Sequence, residues 1–175
     1  MQASGFAGWE WVVRLAAFAG VFIAMAVWEA RAPRRARLYP RSVRWVANLG
    51  LVALNGAIVR LFFPVAAVGF GSLVADRGWG LFNAFDVPFW LAFGLSLLLL
   101  DLAIYLQHVM FHAVPALWRL HRVHHADPDF DVTTGARFHP IEIVLSMLVK
   151  LAAITVLGAP ALAVLAFEIL LNACA

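Results

Sequence analysis

The residues of this chain that could do chemistry are its six histidines. They read His108-Val-Met-Phe-His112, His121-Arg-Val-His124-His125 and Arg137-Phe-His139-Pro140, and no histidine lies elsewhere in the 175 residues. On a helix, residues four apart share a face, so His108 and His112 can present two imidazoles to one point. His121 reaches His124 at i+3 and His125 at i+4, which brings three more rings together. A single histidine on an apolar face is usually a satisfied core residue. A cluster of neutral imidazoles at this spacing is a ligand set for a first-row metal such as iron, zinc or copper.

The segment carrying the first pair must place it at a defined depth. Pro88, just after Asp86, is a clean helix start, and the apolar run continues to His112 before Pro115 stops it. From Pro88 to His108 at 1.5 Å per residue is roughly 30 Å, about the thickness of a bilayer's hydrocarbon core. His108 and His112 therefore emerge at one membrane boundary. Asp101 and Tyr105 share their face, at i, i+4, i+7 and i+11. Metal-bound imidazoles usually donate their other N–H to a carboxylate or carbonyl, so Asp101 is a candidate for orienting them, or else a structural partner of Arg60. The polar stretch Ala113 to Pro140 carries the remaining histidines. Trp118 to His121 should form an interfacial helix ended by Asp127-Pro128-Asp129, with Asp131 and Thr133 holding the following loop through side-chain to backbone bonds.

The rest of the chain is membrane-like. It is 64% hydrophobic and 13% charged, against roughly 25% charged in an ordinary soluble domain. The length suits one helical unit. Trp9 to Trp28 is a first candidate span with tryptophans at both ends. Arg31 to Arg44 holds six arginines with Pro33 and Pro40, a loop that cannot be embedded and that the positive-inside rule assigns to the cytoplasm. The net charge of +3 is thus an orientation signal, not a nucleic-acid patch. Trp45 to Ala75 is a second span with a break near Pro64 and with Asn48, Asn55 and Arg60 inside it. Asp76 to Asp86, with Gly78 and Gly80, is a polar turn suited to the outer side. Ile141 to Ala175 returns to the membrane as two arms of about 15 residues around Gly158-Ala159-Pro160, expected as a re-entrant hairpin or a tilted pair. The first apolar run lacks the order of a cleavable signal and should remain as an anchor. The one cysteine, Cys174, excludes an internal disulfide. The expectation is an all-α, integral membrane helical bundle with a cytoplasmic histidine-rich segment, at the inner membrane if the source is a bacterium.

With these residues in view, the chain resembles the fatty acid hydroxylase and sterol desaturase superfamily of membrane di-iron oxygenases. The resemblance rests on Asp101-x-x-x-Tyr105-x-x-His108-x-x-x-His112 and on Pro115-x-Leu117-Trp118-Arg119-x-His121-x-x-His124-His125. It continues through Asp131-Val-Thr-Thr and Arg137-Phe-His139-Pro140-x-Glu142. It implies that residues 1–87 are N-terminal spans and basic loop, and that 88–175 form the hydroxylase-like region of a single membrane domain. It also implies two irons per complete site, with His108, His112, His121, His124 and His125 as ligands and His139 either as a ligand or as a residue fixing the loop. Asp101, Tyr105 and Asp131 would support them. The implied reaction uses dioxygen to hydroxylate or desaturate a fatty acyl or sterol-like lipid. Electrons would come from a separate donor such as a ferredoxin or a small haem protein.

Two departures from the family pattern stand out. Val109 occupies a position where the family commonly has Arg. The family also carries a third histidine box beyond a returning membrane hairpin, and this sequence ends within that hairpin. The chain is therefore expected to be the N-terminal part of a longer protein, or a truncated member inactive by itself.

Other classes fit less well. A metal or proton transporter would want ligands near the bilayer midplane. A zinc protease would need the Glu that HExxH places after the first His. A haem protein would set paired histidines on facing helices inside the bundle. The alternative kept is a non-catalytic or metal-transporting membrane protein with a vestigial histidine cluster.

Overall fold

The computed structural model describes residues 9–174, and among these every regular element is helical. The helices are α1 (Glu10–Arg31), α2 (Arg41–Phe62), α3 (Ala67–Asp76), a single turn α4 (Leu81–Ala84), α5 (Phe89–Ala113), α6 (Pro115–His125), α7 (Pro140–Leu157) and α8 (Ala161–Cys174). A 3₁₀ turn, Thr134–Ala136, lies between α6 and α7. Four segments are long and apolar enough to cross a membrane: α1, the broken run from α2 to α4, α5 and α7.

Prolines and glycines set the boundaries. Pro88 caps α5, whose first residue, Phe89, comes one position after the start expected from sequence, and Asp86 before it holds a positive φ of 46°. The break near Pro64 is real: α2 ends at Phe62 and α3 begins at Ala67. Pro140 opens α7 at its first turn, where its missing N–H costs nothing. That start gives α7 18 residues, more than the short arm expected, so it is long enough to span. Gly158 then ends it in a left-handed cap with φ 72°. α8 keeps only 14 residues.

α7 and α8 are the centre of the bundle. α7 packs on α2, α3, α5 and α6, while α8 packs on α1, α3 and α5. Val74, Leu100, Ile154 and Val164, from four different helices, are almost wholly buried where these elements meet. Between helices in lipid, close packing rather than expulsion from water supplies the attraction. At the end opposite the histidines the backbone itself is in contact. A side chain on Gly80 would strike Gly158 N at 2.1 Å, and one on Gly158 would meet the carbonyl of Trp79 at 2.7 Å. Both residues also have positive φ, so glycine is required twice over.

α1 stands apart, with no buried residue. It is held by α8, and their polar link is Arg14 on Glu168 at 3.0 Å. Glu168 also accepts from Lys150 of α7 at 2.8 Å. This triad joins three helices within the apolar bundle, and sequence reading had not singled it out. Charges at such depth persist when they face protein and one another.

Candidate metal centre

The two histidine helices meet because Val114, between them, is extended (φ −94°, ψ 117°), which turns the chain before Pro115 starts α6. The last turns of α5 then pack on α6. His108 and His112 face His121, with ring centroids 4.7 to 4.8 Å apart among the three. His125 closes on the other side, 5.0 Å from His112 and 4.9 Å from His121.

Nitrogens converge as well as rings. Nε2 of His108 and Nε2 of His112 are 3.1 Å apart, and those of His121 and His125 are 3.2 Å apart. One potential ligand atom from each of His108, His112 and His121 falls within 4.8 Å of the others. For metal–nitrogen bonds of about 2.1 Å, neighbouring ligand nitrogens sit roughly 3.0 to 3.4 Å apart, between right-angled and tetrahedral coordination. The separations within the two pairs match that range and the three-histidine group is wider, within 4.8 Å, so the residue types and their grouping suit a metal ion.

His121 is fully buried, and its Nδ1 lies 2.6 Å from Oε1 of Glu142, which is also buried. With Nδ1–H donating to the carboxylate, the Nε2 lone pair is left facing the cluster, the arrangement that metal-ligating histidines use. Burial, with His112 and His125 nearby, pushes His121 down to about 4. Burial, with His125 and His121, does the same for His124. Both are therefore neutral at physiological pH and able to ligate without first losing a proton.

His124 lies at the rim of the group. Its ring stacks on Phe138 at 4.7 Å with the planes parallel, and its Nδ1 is buried with no hydrogen-bond partner among the described residues. Phe138 is in turn fixed by Asn55 of α2, whose Nδ2 donates to its carbonyl at 2.9 Å. His139 caps α7, its Nδ1 accepting from the N–H of Ile141 at 3.1 Å. That bond fixes the loop, one of the two roles considered for it. Asp101 and Tyr105 are exposed on α5, and Asp101 makes no hydrogen bond or ion pair with the histidines or Arg60 among the described residues.

Behind α6 lies a second polar group, held almost entirely by α2 and the loop. Arg44 grips Asp127 through two bonds of 2.7 Å and reaches Asp131 at 2.7 Å. Asn48 donates to Asp127 and Thr133, both at 2.8 Å, and accepts from Arg137 at 3.1 Å. Asp131 accepts from both the backbone and the hydroxyl of Thr133, at 3.0 and 2.6 Å, as the loop reading anticipated. Burial works against the charged form of Asp131, yet Thr133, Trp45 and Arg44 together hold its carboxyl below the usual range. Sequence reasoning missed Glu142, Arg44 and Asn48 as supports. Only the Pro140-x-Glu142 pattern marked any of the three.

This geometry frames the comparison with known proteins. Residues 93–175 match the model of the fatty acid hydroxylase family. That is the family that the histidine series resembles. No curated protein and no solved structure gives a significant match. The fatty acid hydroxylase match begins inside α5 and takes in both histidine helices, the loop, α7 and α8. It points to a lipid-modifying oxygenase, a generally iron-dependent class, and three neighbouring histidines here could hold a metal.

Proposed function

We propose that this chain provides the histidine site of a membrane-bound, non-haem di-iron oxidoreductase that hydroxylates or desaturates a fatty acyl or sterol-like lipid with dioxygen. The observation that carries the reading is the convergence of ligand atoms of His108, His112 and His121 within 4.8 Å of one another, with Nε2 of His125 3.2 Å from that of His121. A ligand set of imidazole without thiolate suits iron that activates dioxygen for attack on an unactivated C–H bond. His124, at the rim, is the fifth ligand of this reading, and His139 is either a sixth or the residue that fixes the loop, where its Nδ1 accepts from the N–H of Ile141.

The chain's own residues supply position and proton control. Glu142 holds the tautomer and angle of His121. Phe138 stacks on His124 and limits its rotation. In this reading the cluster stands at the cytoplasmic membrane boundary, where a lipid approaches sideways and a soluble donor, a ferredoxin or small haem protein, delivers electrons. The lengths of α5 and α7 support it. The arginines from Arg31 to Arg44 support that orientation. Cysteine labelling from outside the cell at Arg37 but not at Gly78 would reverse it.

The test loads the detergent-purified chain with ferrous iron without air, then supplies dioxygen, a reductant and a panel of lipids labelled at their C–H bonds. Three histidines converge, His125 pairs with one of them and two more stand apart, so the ligands suffice for one iron and part of a second. Iron should bind at below two per chain, with nitrogen ligation visible by X-ray absorption. This chain by itself should give no lipid product. Failure to hold iron, or equal iron in His108→Ala, would remove the metal reading. Two tightly held irons with turnover would show that six histidines suffice.

A further inference from the structure

A second opening lies away from the histidines, under the end of α1. It is a cavity of about 560 Å3, bounded by Met25 and Trp28 of α1, by Arg34, Arg35 and Arg37 of the following loop, and by Phe130. Its size is within the roughly 300 to 1,000 Å3 of small-molecule sites. Asp129, Asp131 and Glu29 also line it, but each is engaged within the protein. Asp129 accepts from the N–H groups of Leu38 and Tyr39 at 2.8 to 3.1 Å. Asp131 is held by Arg44 and Thr133, and Glu29 accepts from the N–H of Val132 at 2.9 Å and faces Arg41 at 3.7 Å.

The three arginines are in the opposite condition. Arg35 donates one bond to the carbonyl of Pro128 at 3.2 Å, and Arg37 donates one to that of Glu29 at 3.4 Å. None of Arg34, Arg35 and Arg37 lies within salt-bridge distance of a carboxylate among the described residues, although Arg35 acts on Asp129 and Arg37 on Glu29 through longer-range attraction. Each guanidinium offers five N–H donors in a fork suited to phosphate. Beside them the wall is apolar and open: Trp28 is 65% exposed and Phe130 76%. Orientation alone accounts for basic residues near a membrane, but not for a cavity that joins them to aromatic and methionine side chains.

We propose that this cavity binds the phosphate headgroup of an anionic phospholipid. The arginines take the phosphodiester while Met25, Trp28 and Phe130 meet the upper acyl chains. A lipid is favoured over a soluble polyanion because α1 buries none of its residues, leaving its flank free for acyl contact. Basic pockets at the cytoplasmic ends of membrane helices recognise lipids by this combination. The proposal is independent of the metal reading. Its wall, Asp129 to Asp131, belongs to the loop that follows the second histidine group, so an occupant would also brace that loop.

The experiment titrates the detergent-purified chain calorimetrically with dioctanoyl phosphatidylglycerol, dioctanoyl phosphatidylcholine, inorganic phosphate and polyglutamate. Phosphatidylglycerol should bind at least roughly tenfold more tightly than the other three. The variant R34Q/R35Q/R37Q should bring it down to the phosphatidylcholine value, R34K/R35K/R37K should retain most of the preference, and R77Q should leave it unchanged. A second variant, W28A/F130A, should weaken the lipid but not any residual binding of phosphate, which guards against a misfolded arginine variant. Equal binding of the two lipids, or a preference untouched by R34Q/R35Q/R37Q, overturns the proposal. Phosphate matching the lipid would show a free-anion site, and polyglutamate matching it would show a docking place for an acidic protein.

Discussion

Two polar groups sit side by side at the histidine end of the bundle, and they are built on opposite rules. Around Arg44, one guanidinium meets Asp127 and Asp131, with Asn48, Thr133 and Thr134 taking up remaining lone pairs. Donors and acceptors are matched and little is left over. Around His121, imidazoles face one another across 3.1 to 3.2 Å, and the one carboxylate, Glu142, lies behind them. Imidazole nitrogens at that separation either hydrogen-bond to each other or turn their lone pairs to a common cation, according to tautomer. A closed group holds a loop, and the histidine group could hold a metal.

The comparison is most sharply tested by breaking the closed side. Arg44→Met should leave two buried carboxylates without their cation and cost roughly 3 to 5 kcal/mol of stability, seen as earlier thermal unfolding in detergent. Unfolding at the wild-type temperature would mean that the network is solvated and not structural. On the other side, His112→Ala should leave the unfolding temperature of the metal-free chain nearly unchanged. Its loss should instead fall on iron affinity, by about 100-fold or more when measured against a chelator.

Glu142→Gln is a finer test. It keeps the shape but weakens the hold on His121, and affinity should drop about 10 to 100-fold with the helical content intact. If iron is held as before, Glu142 does not orient the ring. The smallest effect concerns pH. Because the carboxyl of Asp131 is held below its ordinary value, its contribution is complete above the usual carboxylate range. It is lost only as pH falls through that depressed value. Stability should therefore fall first between about pH 6.5 and 4, where the unfolded chain's histidines take up protons that buried His121 and half-buried His124 do not. It should fall further below about pH 4, and Asp131→Asn should flatten only that lower decline. A lower decline untouched by Asp131→Asn would place its source elsewhere.

Much of this was legible from sequence because it is local. The i, i+4 spacing of His108 with His112 and of His121 with His125 survives in the structure as paired Nε2 atoms. Pro64, Pro115 and Gly158 end or start helices where their backbone chemistry requires. Pairings across long separations were not legible. His121 and Glu142 are 21 residues apart, and Asn55 reaches Phe138 over 83, with no periodicity to announce either. Arg44 was read as one of six equivalent loop charges. It differs from Arg34 only in being carried one turn into α2, where it is buried. Asn48 and Asn55, polar residues without evident purpose in an apolar run, are explained by the loop that folds onto them.

The triad of Arg14, Lys150 and Glu168 has a consequence for how the chain enters the bilayer. An isolated charge at the centre of a helix costs roughly 2.5 to 3.5 kcal/mol during translocon insertion. α7 carries Lys150 and α8 carries Glu168, joined by three residues and paired at 2.8 Å. Delivered singly, each helix bears its own penalty. Delivered as a hairpin, they present a neutral pair, and α1, already in place, offers Arg14 as the third member. Joint insertion of α7 and α8 is the route this pairing favours. A glycosylation reporter should find α7 poorly retained alone and well retained when α8 follows it.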